Sequence, residues 1–194
     1  MPNLYIIAGC NGAGKTTASM TVLPEFLGCQ EFVNADEIAK GLSPFQPEKV
    51  AIEAGRIMLK RLRDLLEMGE DFAFETTLAT RSYVPFIKEA ALKGYKITLI
   101  FVYLESEELA IQRVKTRVEK GGHNIPKDVI ERRYSGGLNN FFNLYMPLCN
   151  FWFLVDNSTE NLVLNKIAVG EFKEKIFVIN SVIWDKISFE HGGF

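Results

Sequence analysis

Eight residues near the start of the chain, Gly9-Cys10-Asn11-Gly12-Ala13-Gly14-Lys15-Thr16, constrain the fold more than any other stretch. Gly9, Gly14, Lys15 and Thr16 fill the pattern G-x-x-x-x-G-K-[ST]. Glycines let the backbone curl around a phosphate with its N–H groups pointing inward. A helix that opens there adds the positive end of its dipole. Lys15 can then reach the β- and γ-phosphates, and Thr16 can offer its hydroxyl to Mg²⁺. The apolar run Leu4-Tyr5-Ile6-Ile7-Ala8 stops at Gly9 as a buried parallel strand does. A helix is expected from Gly14 or Lys15 to about Val22, with Pro24 marking its end. A strand before and a helix after are the context this motif requires. The residues expected to hold ATP and Mg²⁺ are Gly9, Asn11, Gly12, Ala13, Gly14, Lys15, Thr16 and Thr17.

Strands and helices then alternate. Strands are expected over Glu31–Asn34, Asp71–Glu75, Lys96–Leu104 and Phe151–Val155. Helices are expected over about Glu48–Met68, Ser82–Leu92, Glu107–Glu119 and Lys127–Tyr145. Strand-like pieces lie near Ile167–Val169 and Ile176–Ile179, with a final helix near Val182–Ile187. Such alternation predicts an α/β fold with a doubly wound, mainly parallel sheet between helical layers. No linker divides the chain, so residues 1–194 are expected to form one domain. A mobile lid is expected at about 113–133 and a C-terminal extension at about 160–194. The end of the tail, with His191, is expected to be disordered. Phe141, Phe142, Tyr145, Phe151, Trp152 and Phe153 read as core rather than as a clamp for adenine.

A formal net charge of −2 gives no basic footprint for duplex nucleic acid. The three cysteines, Cys10, Cys29 and Cys149, have no metal-like spacing and read as reduced thiols. No stretch approaches the roughly 20 apolar residues of a membrane span, and Met1-Pro2-Asn3 opens no secretory leader. A cytoplasmic location is the expectation.

In open α/β sheets ligands sit beyond the carboxyl ends of the strands. Asp36 and Glu75 fall there. Asp36 can accept the proton of an alcohol as it attacks a γ-phosphate, or it can cap a helix starting near Glu37. Glu75 suits a carboxylate that orders Mg²⁺ or holds an acceptor, or one simply bonded to Thr76 or Thr77. Thr77 and Thr80 offer hydroxyls to an acceptor, or form a turn. Arg113, Arg117, Arg132 and Arg133 flank Gly121-Gly122-His123-Asn124. Arginines closing over a transferring phosphoryl group would stabilise its charge, with the glycine pair as hinge. A solvated basic face is the other reading. His123 can contact substrate but is not assigned to catalysis.

The ordered set resembles the zeta-toxin family of P-loop kinases. The resemblance spans roughly residues 4–160. It rests on Gly9–Thr17, Val33-Asn34-Ala35-Asp36, Phe74-Glu75-Thr76-Thr77-Leu78-Ala79-Thr80, and Arg117 through Gly121-Gly122-His123-Asn124-Ile125-Pro126 to Arg132-Arg133-Tyr134. Founding members phosphorylate the sugar of UDP-N-acetylglucosamine. The resemblance implies that Asp36 is the general base and that Glu75 and Thr77 help hold a sugar nucleotide. It also implies two lid arginines, Arg117 and either Arg132 or Arg133. Ala79 departs from the arginine that the toxins often carry after this leucine.

The expected activity is transfer of the γ-phosphate of ATP to a hydroxyl of a small-molecule acceptor. Lys15, Asp36, Arg117, Arg132 and Arg133 are the catalytic candidates. Asp36, Glu75, Thr77 and Thr80 would bind the acceptor, with Thr16 and Glu75 on the metal. A nucleoside, nucleotide or polynucleotide-end kinase is the runner-up, and a switch or assembly ATPase the reading from another class. An antitoxin partner is possible for such a chain, but the sequence carries no sign of one.

Overall fold

A computed structural model describes residues 1–122, 124–159, 165–172 and 174–192. His123, Gly193 and Phe194, and with them the reading of His123 as a substrate contact, lie outside the described residues. Among the described residues seven strands form one sheet: β1 (Asn3–Ala8), β2 (Glu31–Val33), β3 (Phe72–Thr76), β4 (Lys96–Tyr103), β5 (Phe151–Asp156), β6 (Asn165–Glu171) and β7 (Lys175–Val178). Their order is β2-β3-β1-β4-β5-β6-β7. The first five run parallel, and β6 and β7 continue the sheet antiparallel. The parallel strands are joined through α1 (Lys15–Thr21), α2 (Ala35–Leu42), α3 (Ala51–Met68), α4 (Val84–Leu92), α5 (Glu107–Glu119) and α6 (Lys127–Asn140), and α7 (Ser181–His191) closes the chain.

β1 lies between β3 and β4, so the chain winds first to one side of β1 and then crosses to the other. That reversal opens a crevice beyond the carboxyl ends of the strands, where the glycine loop emerges. The register sets the level of the site. Ile7 lies opposite Glu75, and Ala8 opposite both Thr76 and Phe101. Glu75 therefore stands beside the root of the loop.

Central strands are covered on both faces, which is why β1 and β4 read as nearly unbroken apolar runs. α3 presents Ala54, Met58, Leu62, Leu65 and Leu66 to this core. Leu62 is fully buried, so truncation to alanine would cost about 2–5 kcal/mol. Phe141, Phe142, Tyr145 and Trp152 are buried in the same core, while Phe151 and Phe153 are half-buried.

Several boundaries differ from the sequence expectation. α2 starts at Ala35 and is capped by Asn34, not Asp36: the Asn34 side chain accepts from the Asp36 N–H. α4 starts at Val84 rather than Ser82. α6 ends at Asn140, and the chain continues through a wide π-helical turn over Phe141–Tyr145. The expected disorder around His191 is corrected. His191 ends α7, its ring nitrogen lies 2.8 Å from Asn139 Oδ1, and its carbonyl accepts from Asn143. Stacking of Trp184 on Trp152, with centroids 6.0 Å apart, holds this helix to the sheet.

Candidate active site

The glycine loop forms a cradle because three of its residues occupy backbone regions that side chains avoid. Gly9, Gly12 and Gly14 have φ of +139°, +83° and +83°. Space is also closed to a side chain at all three: a Cβ on Gly12 would lie 2.7 Å from the Ala110 carbonyl oxygen. A Cβ on Gly9 would lie 2.3 Å from the Val102 carbonyl oxygen, and one on Gly14 2.6 Å from Asn157 Nδ2. β4 and the end of β5 thus wall the cradle, and Asn157 Nδ2 donates to the Ala13 carbonyl. α1 begins at Lys15 and points its first turn at the cradle.

Four polar side chains interlock behind it. Lys15 is buried, donates to the Cys10 carbonyl at 3.0 Å, and lies 3.5 Å from Glu75 Oε1. Thr16 Oγ1 donates to Glu75 Oε2 at 2.7 Å, and Asn34 Nδ2 donates to the same oxygen at 2.9 Å. A hydroxyl beside a carboxylate suits Mg²⁺, which prefers oxygen ligands and takes one or two from protein when phosphates supply the rest. Among the described residues no three His, Cys, Asp or Glu side chains cluster as a metal site, and a phosphate-held magnesium needs none. Cys10 contributes its carbonyl. Burial pushes its thiol up to about 11 against the pull of Lys15, so the sulfur stays protonated near neutrality.

Asp36 borders three cavities, two of which also border Lys15 and Glu75. One of these two, of about 270 Å³, is lined by Asn11, Gly12 and the run Gly14 to Thr17 of the cradle, together with Glu75, Arg113 and Arg117. The other, of about 320 Å³, is bordered by Asn34, Glu75, Thr77, Thr80, Tyr83 and Arg133. Asp36 borders both and is exposed in the first turn of α2. The exposed Thr17 lies at the rim of the first cavity.

The loop carrying Thr77 and Thr80 is held in a strained shape. Leu78 is fully buried at φ +55°, unusual for leucine. Asn140 Nδ2 donates to the Leu78 carbonyl at 2.6 Å, and the Tyr145 hydroxyl to the Thr80 carbonyl at 2.6 Å. α6 approaches closely because Gly137 has no side chain: a Cβ there would lie 2.6 Å from the Thr77 carbonyl oxygen. The Thr80 hydroxyl pairs with Ser82 Oγ at 2.8 Å.

The arginines separate. Arg133 is half-buried, borders the Thr77–Thr80 cavity, and donates to Asn11 Oδ1 at 3.0 Å. Burial lowers its pKa, Asp36 opposes that shift, and Arg132 adds to it; a guanidinium remains charged regardless. Arg132 is exposed and borders neither cavity. Arg113 donates to the Ser158 carbonyl at 3.1 Å. Arg117 faces the cradle from the end of α5. There the glycine pair forms a helix stop: Gly121 N–H donates to the Val118 carbonyl and Gly122 N–H to the Arg117 carbonyl. A Cβ on Gly122 would lie 2.6 Å from Arg117 Cγ, so the arginine packs where a side chain at 122 would stand.

Asn34 and Asn157 are the site residues that sequence reasoning left without a role. The signal for Asn34 was available, because a polar residue between a strand and a helix sits where an N-cap belongs. Nothing local marks Asn157, whose partner Ala13 is 144 residues away.

The family model described as Zeta toxin matches residues 1–146. An uncharacterized protein of Haemophilus influenzae is 30% identical over 128 residues, covering 65% of this chain and 88% of that protein. Among solved structures, one from the PezAT chromosomal toxin–antitoxin system of Streptococcus pneumoniae superimposes with a TM-score of 0.67 at 17% identity, covering 95% of this chain and 78% of that one. One from the AvrRxo1-ORF1:-ORF2 structure with ATP gives 0.71 at 18% identity, covering 97% of this chain and 64% of that one. The chain thus spans just under two thirds of the AvrRxo1 chain. Among the described residues, no helix is long and apolar enough to cross a membrane.

Proposed function

This chain belongs to the zeta toxin family and is a P-loop phosphotransferase acting on an alcohol, and we propose that Asp36 activates a hydroxyl of a small polyhydroxylated acceptor for attack on the γ-phosphate of ATP. One observation carries the reading: Asp36 borders both the phosphate cradle and the hydroxyl-lined cavity beside it. An acceptor in the second cavity would meet Thr77, Thr80, Ser82 and Asn34, groups that hydrogen-bond alcohols. A sugar nucleotide such as UDP-N-acetylglucosamine is the first acceptor to try.

Each residue has a task that follows from charge. The carboxylate of Asp36 takes the acceptor's proton as its oxygen attacks phosphorus. Negative charge then spreads over the γ-phosphate oxygens. Lys15 neutralises it from behind the cradle, with Arg117 and Arg133 on its two sides. Thr16 and Glu75 hold the magnesium side, and the cradle amides hold the remaining phosphates. Thr16 and Glu75 would hold magnesium there, which would supply positive charge to offset that of the phosphates. The stretch 113–133 serves as a lid that excludes water once both substrates are seated.

A protein partner belongs to the same reading. The PezAT structure comes from a toxin–antitoxin system, and a small antitoxin covering the cradle here would block nucleotide entry. The kinase reading is tested by screening sugar nucleotides, sugars and nucleosides for acceptor-dependent ADP release. It predicts that one class stimulates release strongly. Steady ATP hydrolysis indifferent to every acceptor would instead indicate a switch ATPase.

A further inference from the structure

Asn34 is buried at 6% exposure, and its side chain meets three members of the site at once. Its Oδ1 accepts from the Asp36 N–H at 2.8 Å. Its Nδ2 donates to Glu75 Oε2 at 2.9 Å and lies 3.4 Å from Thr16 Oγ1. These contacts fix the amide's orientation, because the flipped form would set its oxygen against a carboxylate and its nitrogen against an N–H.

Capping alone does not require asparagine. Serine, aspartate or threonine also caps a helix. What asparagine adds is the amide donor, which is spent on the carboxylate of Glu75. We propose that Asn34 is a positioning residue for the pair Glu75–Thr16, setting the geometry with which they receive a magnesium-bound nucleotide. Two donors, Asn34 Nδ2 and Thr16 Oγ1, converge on Glu75 Oε2. The carboxylate is thereby rotated so that Oε1 faces Lys15. With its proton committed to Glu75 and one lone pair facing the long bond from Asn34, the Thr16 hydroxyl keeps its other lone pair for a metal. The same side chain ties this pair to the backbone of Asp36, so the metal side and the base side of the site share one anchor. This inference rests on the reading of Thr16 and Glu75 as the magnesium side.

Calorimetric titration with ATP, with magnesium and with chelator, tests it in the wild type and in Asn34→Ser, which keeps a cap but cannot place an amide on Glu75. Asn34→Ser is expected to melt close to the wild type and to lose about tenfold in affinity for magnesium-ATP, the loss typical for a residue that orients a metal ligand. Its affinity for metal-free ATP should be unchanged. Asn34→Thr, another capping residue, serves if the serine variant does not fold, with the same expectation. The double variant Asn34→Ser/Glu75→Gln should lose no more than Glu75→Gln alone, because Asn34 acts through Glu75. Wild-type affinity in the serine variant, equal losses with and without magnesium, or additive losses in the double variant would each overturn the proposal. Failure of every acceptor to stimulate ADP release would sink the kinase reading while leaving these titrations valid.

Discussion

Arg133 Nη1 donates to Asn11 Oδ1 at 3.0 Å, joining α6 to the phosphate loop across 122 residues of sequence. α6 is fixed by further bonds: the Tyr134 hydroxyl donates to the Leu104 carbonyl at 2.7 Å and Ser135 Oγ to Glu107 Oε1 at 2.6 Å. The guanidinium is therefore delivered to the site by a helix anchored at the two residues that follow it. Arg132, one step around the helix, faces solvent.

The two arginines should differ sharply when replaced. Arg133→Ala is expected to lower kcat about 100-fold or more, the loss seen when one donor to a transition-state charge is removed. Arg132→Ala should stay within about twofold of the wild type, as surface changes do. Steady-state rates of both variants check this, and equal losses would contradict the assignment.

Gly137→Ala should act on the acceptor rather than on ATP. A Cβ there meets the Thr77 carbonyl oxygen at 2.6 Å, so α6 or the Thr77–Thr80 loop must move. The cost in stability is about 1–3 kcal/mol, as for other insertions into packed regions. A raised KM for the acceptor is expected, with the Kd of magnesium-ATP little changed. Thermal melts, calorimetry and acceptor kinetics separate the three quantities.

All three thiols are free and buried, and Cys10 and Cys29 are each pushed up to about 11 mainly by burial. Native protein should resist thiol reagents at neutral pH and react fully once unfolded. The sign of the pH effect follows from the same shift. An unfolded thiol ionises near its ordinary value of 9.0 while the folded one keeps its proton to about 11. Stability from these groups is thus complete below about pH 9 and is lost as pH rises toward 11. Denaturant melts between pH 8 and about 11 check this sign, and stability that rises with pH over the window would contradict it.

Much of the fold was legible because its signals are local. The phosphate loop, the apolar strands and the helix breaks lie in contiguous residues, and the parallel sheet follows from their alternation. Legible features stop where distant segments meet. Only the packing of α6 separates Arg133 from Arg132, since adjacent residues on a helix are equally plausible in sequence but point in different directions. The glycine pair at 121–122 suggested a hinge because glycine is permissive. In the folded chain the pair also makes a helix stop, with Gly121 at φ +84° and Gly122 against Arg117, which no local pattern announces. The strained Leu78 was invisible too, because its conformation is imposed by Asn140, Tyr145 and Gly137 from far along the chain. Asp36 could be read as a cap or as a base. The structure gives the cap to Asn34 and leaves the Asp36 carboxylate bordering the two cavities.

That carboxylate is where the account is most exposed to test. Asp36→Asn removes the proton acceptor but keeps the side chain's size, so the cradle should be undisturbed. With the best acceptor from the screen, single-turnover transfer from ATP and calorimetric affinity for magnesium-ATP can be measured on the same preparation. The account predicts unchanged nucleotide affinity and a loss in transfer rate of about 10²–10⁴-fold, the range for removal of a general base. Transfer at the wild-type rate in Asp36→Asn would contradict it.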